Sequence, residues 1–168
     1  AGIRSIEHGV YLDDVGIELM LDRGTWLVPT LVAPQGVVDA SEAGASLPPA
    51  VEEQARAAGG THRAALSRAV EAGVRIAMGT DSGITAHGQN LRELELMVAC
   101  GMTPASALEA TTRSAAELMG LDADLGTIEP GKLADLVVLD GDPYDFASYR
   151  ERVEAVWKAG ERVVGDEG

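Results

Sequence analysis

The stretch RIAMGTDSG, residues 75–83, joins an apolar run to an acidic residue that lies between two glycines. The apolar run is typical of a buried strand, and buried strands seldom end on a bare carboxylate. Two interpretations of Asp81 follow. It is either a turn residue that ends the strand, or a ligand at the mouth of a site.

The first half of the sequence predicts an alternation of strands and helices. Each β-rich stretch is followed by polar residues or glycine, and apolar residues at helical spacing lie between the stretches. This order predicts a parallel sheet with right-handed crossovers. The predicted strands are 2–9, 25–32 and 74–81, and the predicted helices are 12–22 and 50–72, the second with a possible break at Gly59-Gly60.

Residues 33–49 are rich in glycine, alanine, serine and proline, and they predict a long loop. Loops of this length in compact domains are often functional, for example as a lid, with disorder as the alternative. Further helices are predicted at 90–100 and over 102–120. Thr103 is the expected N-cap of the last helix, with Pro104 in its first turn.

The sequence after Gly120 is β-rich and predicts a module different from the α/β part. A strand is expected at 134–139, followed by a hairpin whose turn lies at Ala159-Gly160. The predicted domains are 1–120, the α/β part, and 121–168, the β-rich part.

Composition and charge exclude several classes of partner. The formal net charge of −14 argues against nucleic acid and anionic membranes, which attract basic surfaces. There is no run of eighteen apolar residues that would span a membrane. The single cysteine, Cys100, permits no internal disulfide, so we expect a cytoplasmic protein. Cys100 lies in a helical stretch and is expected to be a buried apolar residue rather than a nucleophile.

Two of the three predicted strands end in a possible metal ligand, His8 and Asp81. Ligands of parallel α/β proteins bind at the carboxyl ends of strands, and imidazole and carboxylate are common ligands of Zn²⁺. Gly9 and Gly83 would let the backbone or a substrate approach closely. From the residues alone, a structural histidine and a turn aspartate are the alternatives.

The other two histidines give different expectations. His62 lies among alanine and arginine residues of a predicted helix, so we expect it to be solvated. His87 lies in the loop after the Asp81 strand, where it either contacts substrate or lies on the surface. The sequence contains no HxH, HExxH or CxxC pair, and two good candidates are fewer than the three protein ligands of a usual catalytic zinc.

Five motifs together resemble the metal-dependent amidohydrolase superfamily, in its branch of imidazolonepropionase-like enzymes and Xaa-Pro or prolidase-type dipeptidases. The resemblance covers nearly the whole chain, least of all the 33–49 stretch. In chain order the motifs are SIEHG, VPTL, MGTDSG, HGQNLRELELMVACGMTPASALEATTRSAAELMGL and LGTIEPGKLADLVVLDGDP.

The resemblance implies a fold and a position for the chain within it. The expected fold is α/β: strands six, seven and eight of a (β/α)₈ TIM barrel, plus part of a small composite β-sandwich. The chain would then be the C-terminal portion of a longer protein. The family's first-strand HxH pair, strand-four lysine and strand-five histidine would lie upstream of Ala1.

The resemblance also implies roles for individual residues. His8 matches a metal-binding histidine, and Asp81 matches a metal-binding aspartate that shuttles the proton of the attacking water. His87 and Asn90 match the loop that can reach the substrate. The implied cofactor is a divalent metal, expected to be zinc as one or two ions, with its remaining ligands upstream.

The implied activity is hydrolysis of amide C–N bonds, with a dipeptide or N-acyl amino acid as the small-molecule substrate. The chain alone is expected to be inactive, and a homo-oligomer is also expected. The alternatives are a deaminase or cyclic-amide hydrolase on the same fold, or a non-catalytic remnant that acts as a binding or structural module. Fold-level likeness does not decide between them.

Overall fold

The computed structural model describes residues 2–83 and 87–165, and its first half contains parallel pairing as predicted. Strand β1, Ser5–Glu7, pairs in parallel with β2, Trp26–Val28, with Ser5 opposite Trp26. The third predicted strand pairs with β2 through one parallel bridge between Leu27 and Ile76. We call residues 74–81 the Asp81 segment. The pairing order is therefore β1, β2, Asp81 segment.

The middle strand β2 is buried at every position, which is typical of parallel sheets that are covered on both faces. Its Leu27 belongs to a contiguous core that also contains residues of the helices and of the β-rich tail. The buried core includes Ile17, Met20, Leu27, Leu31, Val32, Leu66, Ala69, Ile76, Leu94, Met97, Cys100, Ala107, Phe146 and Tyr149. Cys100 is buried, as predicted.

Six α-helices surround the parallel strands within the described residues. Asp13 caps the first helix by accepting a hydrogen bond from the Gly16 N–H, and Gly24 ends that helix in the left-handed conformation. Thr103 caps the fifth helix, as predicted. The helices are α1 Asp14–Arg23, α2 Val32–Glu42, α3 Pro49–Ala72, α4 Arg92–Ala99, α5 Pro104–Thr111 and α6 Arg113–Met119.

Helix α2 shows that the prediction of a long loop at 33–49 was wrong. Eleven residues, Val32–Glu42, are helical, and only a short connection leads to α3. Val32 and Ala33 in its first turn are buried in the core, so tertiary packing outweighs the weak helical propensity of this stretch.

Two other helix boundaries differ from expectation. Helix α3 continues through Gly59-Gly60, the possible break, because its apolar face packs on the core on the C-terminal side of the two glycines. The stretch 102–120 forms two helices, α5 and α6, because Thr112 between them has a non-helical backbone conformation (φ −120°, ψ −90°).

The β-rich tail forms an antiparallel sheet in the order β3, β4, β5. The strands are β3 Leu136–Leu139, β4 Val153–Lys158 and β5 Glu161–Val164, with a short 3-10 helix, Arg150–Arg152, before β4. The predicted strand and the hairpin turn at Ala159-Gly160 are confirmed. The division into domains 1–120 and 121–168 stays a prediction.

Lys132 holds the turn that precedes β3. Its Nζ donates to Thr127 Oγ1 at 2.5 Å and lies 3.4 Å from the Leu125 carbonyl oxygen. The side chain thus has a local structural role. Across the described ranges, none of the helices is both long and apolar enough to cross a bilayer.

Candidate functional site

His8 lies directly after β1, and two hydrogen bonds fix its backbone. Its backbone is left-handed, at φ 65°, a conformation that is uncommon for a residue with a side chain. Its N–H donates to the Val28 carbonyl at 2.8 Å. Its carbonyl oxygen accepts a hydrogen bond from His62 Nε2 at 2.7 Å. Backbone strain of this kind persists where the surroundings hold it in place.

The imidazole of His8 is oriented by Thr30, which follows β2. Nδ1 of His8 and Oγ1 of Thr30 are 2.6 Å apart. This contact occupies one ring nitrogen and leaves Nε2 for another partner. Metal-binding histidines usually have this arrangement, in which one nitrogen binds the metal and the other is hydrogen-bonded to the protein.

Asp81 ends the Asp81 segment and also has a left-handed backbone, at φ 50°. Its side chain is exposed, while the neighbouring hydroxyls of Thr80 and Ser82 bond to each other at 2.9 Å. Among the residues that the structure describes, no hydrogen bond is made to the Asp81 carboxylate. The carboxylate is therefore accessible at the end of the segment, where a ligand could reach it.

Left-handed backbone recurs at the exits of all three extended segments. His8, Thr30 and Asp81 are three of the five non-glycine residues with positive φ among those described. Since β2 lies between the other two segments, His8 and Asp81 are two strand spacings apart, roughly 10 Å along the sheet edge. The structure thus brings the two predicted ligands to one edge of one sheet.

His62 is buried, so the expectation of a solvated helix position was wrong. Its side chain is 2% exposed, and Nε2 donates to the His8 carbonyl oxygen. Burial lowers the pKa of the His62 imidazole, with a smaller opposing effect from the carbonyls of His8 and Pro29. His62 therefore supports the backbone of His8 through this hydrogen bond.

Glu93 of α4 is a fully buried carboxylate that sequence reasoning missed. Its two oxygens accept hydrogen bonds from the backbone N–H groups of Leu31, at 2.8 Å, and Val32, at 2.7 Å. Burial raises the pKa of Glu93 to about 7, although these two hydrogen bonds lower it. The signal lay in its spacing, because Glu93, Met97 and Cys100 share the buried face of one helix.

His87 and Asn90 lie in the turn before α4, on the far side of residues 84–86 from Asp81. Both are exposed, and the Asn90 carbonyl oxygen accepts a hydrogen bond from the Glu93 N–H at 3.1 Å. Asn90 also lines a cleft of about 1080 Å³ together with Met78. Within the described residues, no hydrogen bond connects His87 or Asn90 with His8 or Asp81.

The described residues could supply part of a metal site. Over residues 2–83 and 87–165, no group of three or more histidine, cysteine, aspartate or glutamate side chains could hold an ion. His8 Nε2 and the Asp81 carboxylate are nevertheless the nitrogen and oxygen donors that zinc accepts. The residues present therefore fit two positions of a metal site.

Comparison with known proteins gives consistent results over nearly the whole chain. The sequence model of the amidohydrolase family matches residues 1–163. Ochratoxinase of Aspergillus niger is 34% identical over 98% of this chain and 35% of its own length. Imidazolonepropionase of Geobacillus kaustophilus (strain HTA426) is 38% identical over 63% of this chain and 26% of its own length.

Solved structures show the same relationship in three dimensions. A crystal structure of a Xaa-Pro dipeptidase with methionine bound in its active site is 38% identical, with a TM-score of 0.88. The match covers 98% of this chain and 40% of the dipeptidase. A prolidase complexed with N-methylphosphonate-L-proline is 31% identical, with a TM-score of 0.86, over 98% of this chain and 41% of the prolidase.

These matches extend across both the α/β part and the β-rich tail, but the chain spans well under half the length of these relatives. The fold, the order of the motifs and the identity all agree. The chain therefore belongs to the amidohydrolase family.

Proposed function

We propose that the complete protein that carries this sequence hydrolyses amide C–N bonds with a water molecule activated by a divalent metal ion. In this proposal the chain supplies strands six to eight of a (β/α)₈ barrel and part of a composite β-sandwich. The remaining metal ligands come from the part of the fold that its relatives have and this chain does not span.

The observation that carries the proposal is that His8 and Asp81 lie at the same edge of one sheet, at the carboxyl ends of two parallel segments. His8 has one ring nitrogen fixed by Thr30 and the other left for a ligand. Asp81 has its carboxylate exposed at the exit of the Asp81 segment, on the other side of β2. The alternatives, a structural histidine and a turn aspartate, give no reason for two candidate ligands to lie at the carboxyl ends of parallel segments in one sheet, where ligands of such folds bind.

The two residues have distinct roles in the proposed reaction. His8 Nε2 and the Asp81 carboxylate would hold zinc, as one or two ions. Such an ion, when bound, makes water acidic near neutral pH and polarises a carbonyl group. The Asp81 carboxylate accepts the proton of the attacking water and returns it to the leaving nitrogen. Positioned general acid–base catalysis of this kind contributes roughly 10²–10⁴-fold to a rate.

The substrate that we propose is a small amide, either a dipeptide or an N-acyl amino acid. The similarity to a Xaa-Pro dipeptidase and to a prolidase supports a dipeptide. His87 and Asn90, which are exposed in the turn before α4, would contact the substrate. A cyclic-amide hydrolase is the second candidate, which the similarity to imidazolonepropionase favours.

The proposed role of Asp81 is tested by Asp81→Asn in the complete protein. The amide of asparagine keeps one oxygen donor but cannot accept and return the proton. We therefore expect turnover to fall by roughly 10²-fold or more, while zinc content, measured by elemental analysis, falls only in part.

Asp122→Asn is the matched control, because Asp122 is exposed in a turn after α6. It removes the same charge and should leave turnover and zinc content unchanged. Wild-type activity of Asp81→Asn would show that Asp81 does not transfer the proton.

A further inference from the structure

One buried carboxylate controls the backbone at the exit of β2. Both oxygens of Glu93 accept backbone N–H groups, those of Leu31 and Val32, at the N-terminal end of α2. Such amides have no acceptor within their own helix. Leu31, the N-cap residue, has no side chain that can accept them. Glu93 therefore replaces the usual capping residue, from a different helix.

The residue directly before these two amides is Thr30, whose side chain orients His8. Thr30 is 4% exposed and left-handed, at φ 54°, a strained conformation for a β-branched residue. Its surroundings must therefore hold this conformation. The two hydrogen bonds of Glu93 fix the next two residues of the chain and so determine where Thr30 Oγ1 lies.

The backbone of Glu93 also forms a hydrogen bond with the turn before α4, which carries Asn90. Its N–H donates to the Asn90 carbonyl at 3.1 Å. Through its side chain and its backbone, one residue thus links the exit of β2 with the turn that carries Asn90. His8 depends on the first of these elements, and the proposed substrate contact depends on the second.

We propose that Glu93 is a positioning residue for the metal site: it fixes the exit of β2, and thereby Thr30 Oγ1, so that the His8 imidazole presents Nε2 to the metal. This inference rests on the proposed function, since it assigns to His8 the role of metal ligand. Glu93 itself does not touch the metal or the substrate.

The test compares Glu93→Gln with Thr30→Val in the complete protein, at about pH 8. Glutamine at position 93 places an N–H₂ group against the N–H of Leu31 or Val32, so one hydrogen bond is lost. Valine at position 30 removes the hydroxyl that contacts His8 and keeps the branched shape of the side chain. We expect each substitution to lower zinc affinity by about 10–100-fold, the usual effect of losing an outer partner of a metal-binding histidine. The affinity is measured by competition with a chelator.

The double variant decides whether Glu93 acts through Thr30. If it does, Glu93→Gln lowers the zinc affinity little further once Thr30→Val is present. Losses that multiply in the double variant would overturn the proposed route. Thr30→Ser keeps Oγ1 and should restore most of the affinity. Glu95→Gln is the matched control, because Glu95 is exposed in the same first turn of α4, and it should change nothing.

A second readout does not depend on bound metal. In metal-free protein labelled with ¹⁵N-histidine, Glu93→Gln should shift the ring ¹⁵N signal of His8, which is assigned from the signal that His8→Gln removes. An unchanged ring signal together with unchanged zinc affinity would overturn the inference, even if Glu93→Gln lowers Tm. If Glu93→Gln does not fold, Glu93→Asp, whose shorter side chain cannot reach both amides, is judged by the same criteria.

The two proposals fail in different ways. If His8→Gln leaves zinc affinity unchanged, His8 is not a ligand and the proposed function is wrong in this respect. The positioning of His8 by Glu93 is then still decided by the ring signal. If His8→Gln abolishes tight binding but Glu93→Gln and Glu93→Asp do not weaken it, only the role of Glu93 is wrong.

Discussion

Gly79 is the residue at which the Asp81 segment passes close to β2. A Cβ atom at this position would lie 2.4 Å from Val28 Cγ1 and 3.5 Å from Thr30 Cγ2. Val28 is buried and branched, so it cannot move away without disturbing the core. The absence of a side chain at Gly79 therefore lets the Asp81 segment lie against β2, and this contact places Asp81 beside the exit of β2.

We expect Gly79→Ala to destabilise the complete protein by about 1–3 kcal/mol through overpacking. The melting temperature falls accordingly. Gly59→Ala in α3 is the matched control, because a Cβ at Gly59 meets nothing within 4 Å. It should raise stability by about 0.5–1 kcal/mol, since alanine is the better helix former. Thermal unfolding by circular dichroism measures both, and equal shifts would contradict the packing argument.

His62 shows which features of a buried polar residue could be predicted from the sequence and which could not. The interpretation of His62 as solvated considered only its polar neighbours along the chain. Its spacing to Ala65, Leu66 and Ala69 places it on the buried face of α3, which periodicity could have shown. Its hydrogen bond to the His8 carbonyl, 54 residues away in the chain, could not be read from any local pattern.

At the scale of elements, helix α2 is capped by a residue that is distant in the chain. Leu31, at its N-cap position, has no side chain that accepts a hydrogen bond, and the composition of 33–49 resembles that of a loop. The acceptors for its first amides come from Glu93, 61 and 62 residues further along the chain. By contrast, α1 and α5 carry their caps in their own sequence, at Asp13 and Thr103, and their starts were predictable within two residues.

The burial of Glu93 makes stability depend on pH in a direction unusual for a carboxylate. Burial raises the pKa of Glu93 from 4.5 to about 7. Between these values the folded state keeps a proton that the unfolded state has released. Stability therefore falls as pH rises from about 4.5 to about 7 and then levels off. At about 1.4 kcal/mol per pH unit, the full change is on the order of 3 kcal/mol.

The measurement is the free energy of unfolding by urea at several pH values, for wild type and Glu93→Gln. The variant has no carboxyl group at this position, so the difference between the two proteins isolates its contribution. We expect the advantage of wild type over the variant to shrink as pH rises from about 4.5 to about 7. A difference that stays constant across this range would show that Glu93 has a similar pKa in both states.

At the scale of the whole molecule, much apolar surface faces outward. Ile3, before β1, is 55% exposed, and Leu19, on α1, is 54% exposed. The cleft of about 1080 Å³ between the helices and the tail is lined mainly by apolar side chains, Leu108 and Leu136 among them. A large apolar cleft of this kind usually marks an interaction site. The chain spans 40% of the dipeptidase, so the rest of the fold is the covering element that we propose.

The order of motifs predicted the family, the parallel strands and the β-rich tail, because each motif is local in sequence. The supports of the site, Thr30, His62 and Glu93, could not be predicted in the same way, since each acts across at least 22 residues of the chain. The structure therefore adds three residues to the candidate site, whereas most of the fold could be predicted from the sequence.

The last prediction follows from the number of ligands that this chain can offer. Catalytic zinc usually takes three protein ligands, and we assign two, His8 and Asp81, which lie at the exits of segments separated by β2. We therefore expect the 168-residue chain on its own to retain far less than one zinc ion per molecule after dialysis, and to hydrolyse no amide. Elemental analysis of the dialysed chain measures the first, and a dipeptide assay measures the second.

One zinc ion per isolated chain would mean that the chain completes a site by itself. The residue that would then supply the third ligand is His87, in the turn after the Asp81 segment. Loss of that zinc in the isolated His87→Ala chain would identify such a site. In the complete protein, the site that we propose predicts that His87→Ala raises KM, because His87 contacts substrate, and leaves zinc content at the wild-type level. This result would separate a substrate contact from a metal ligand.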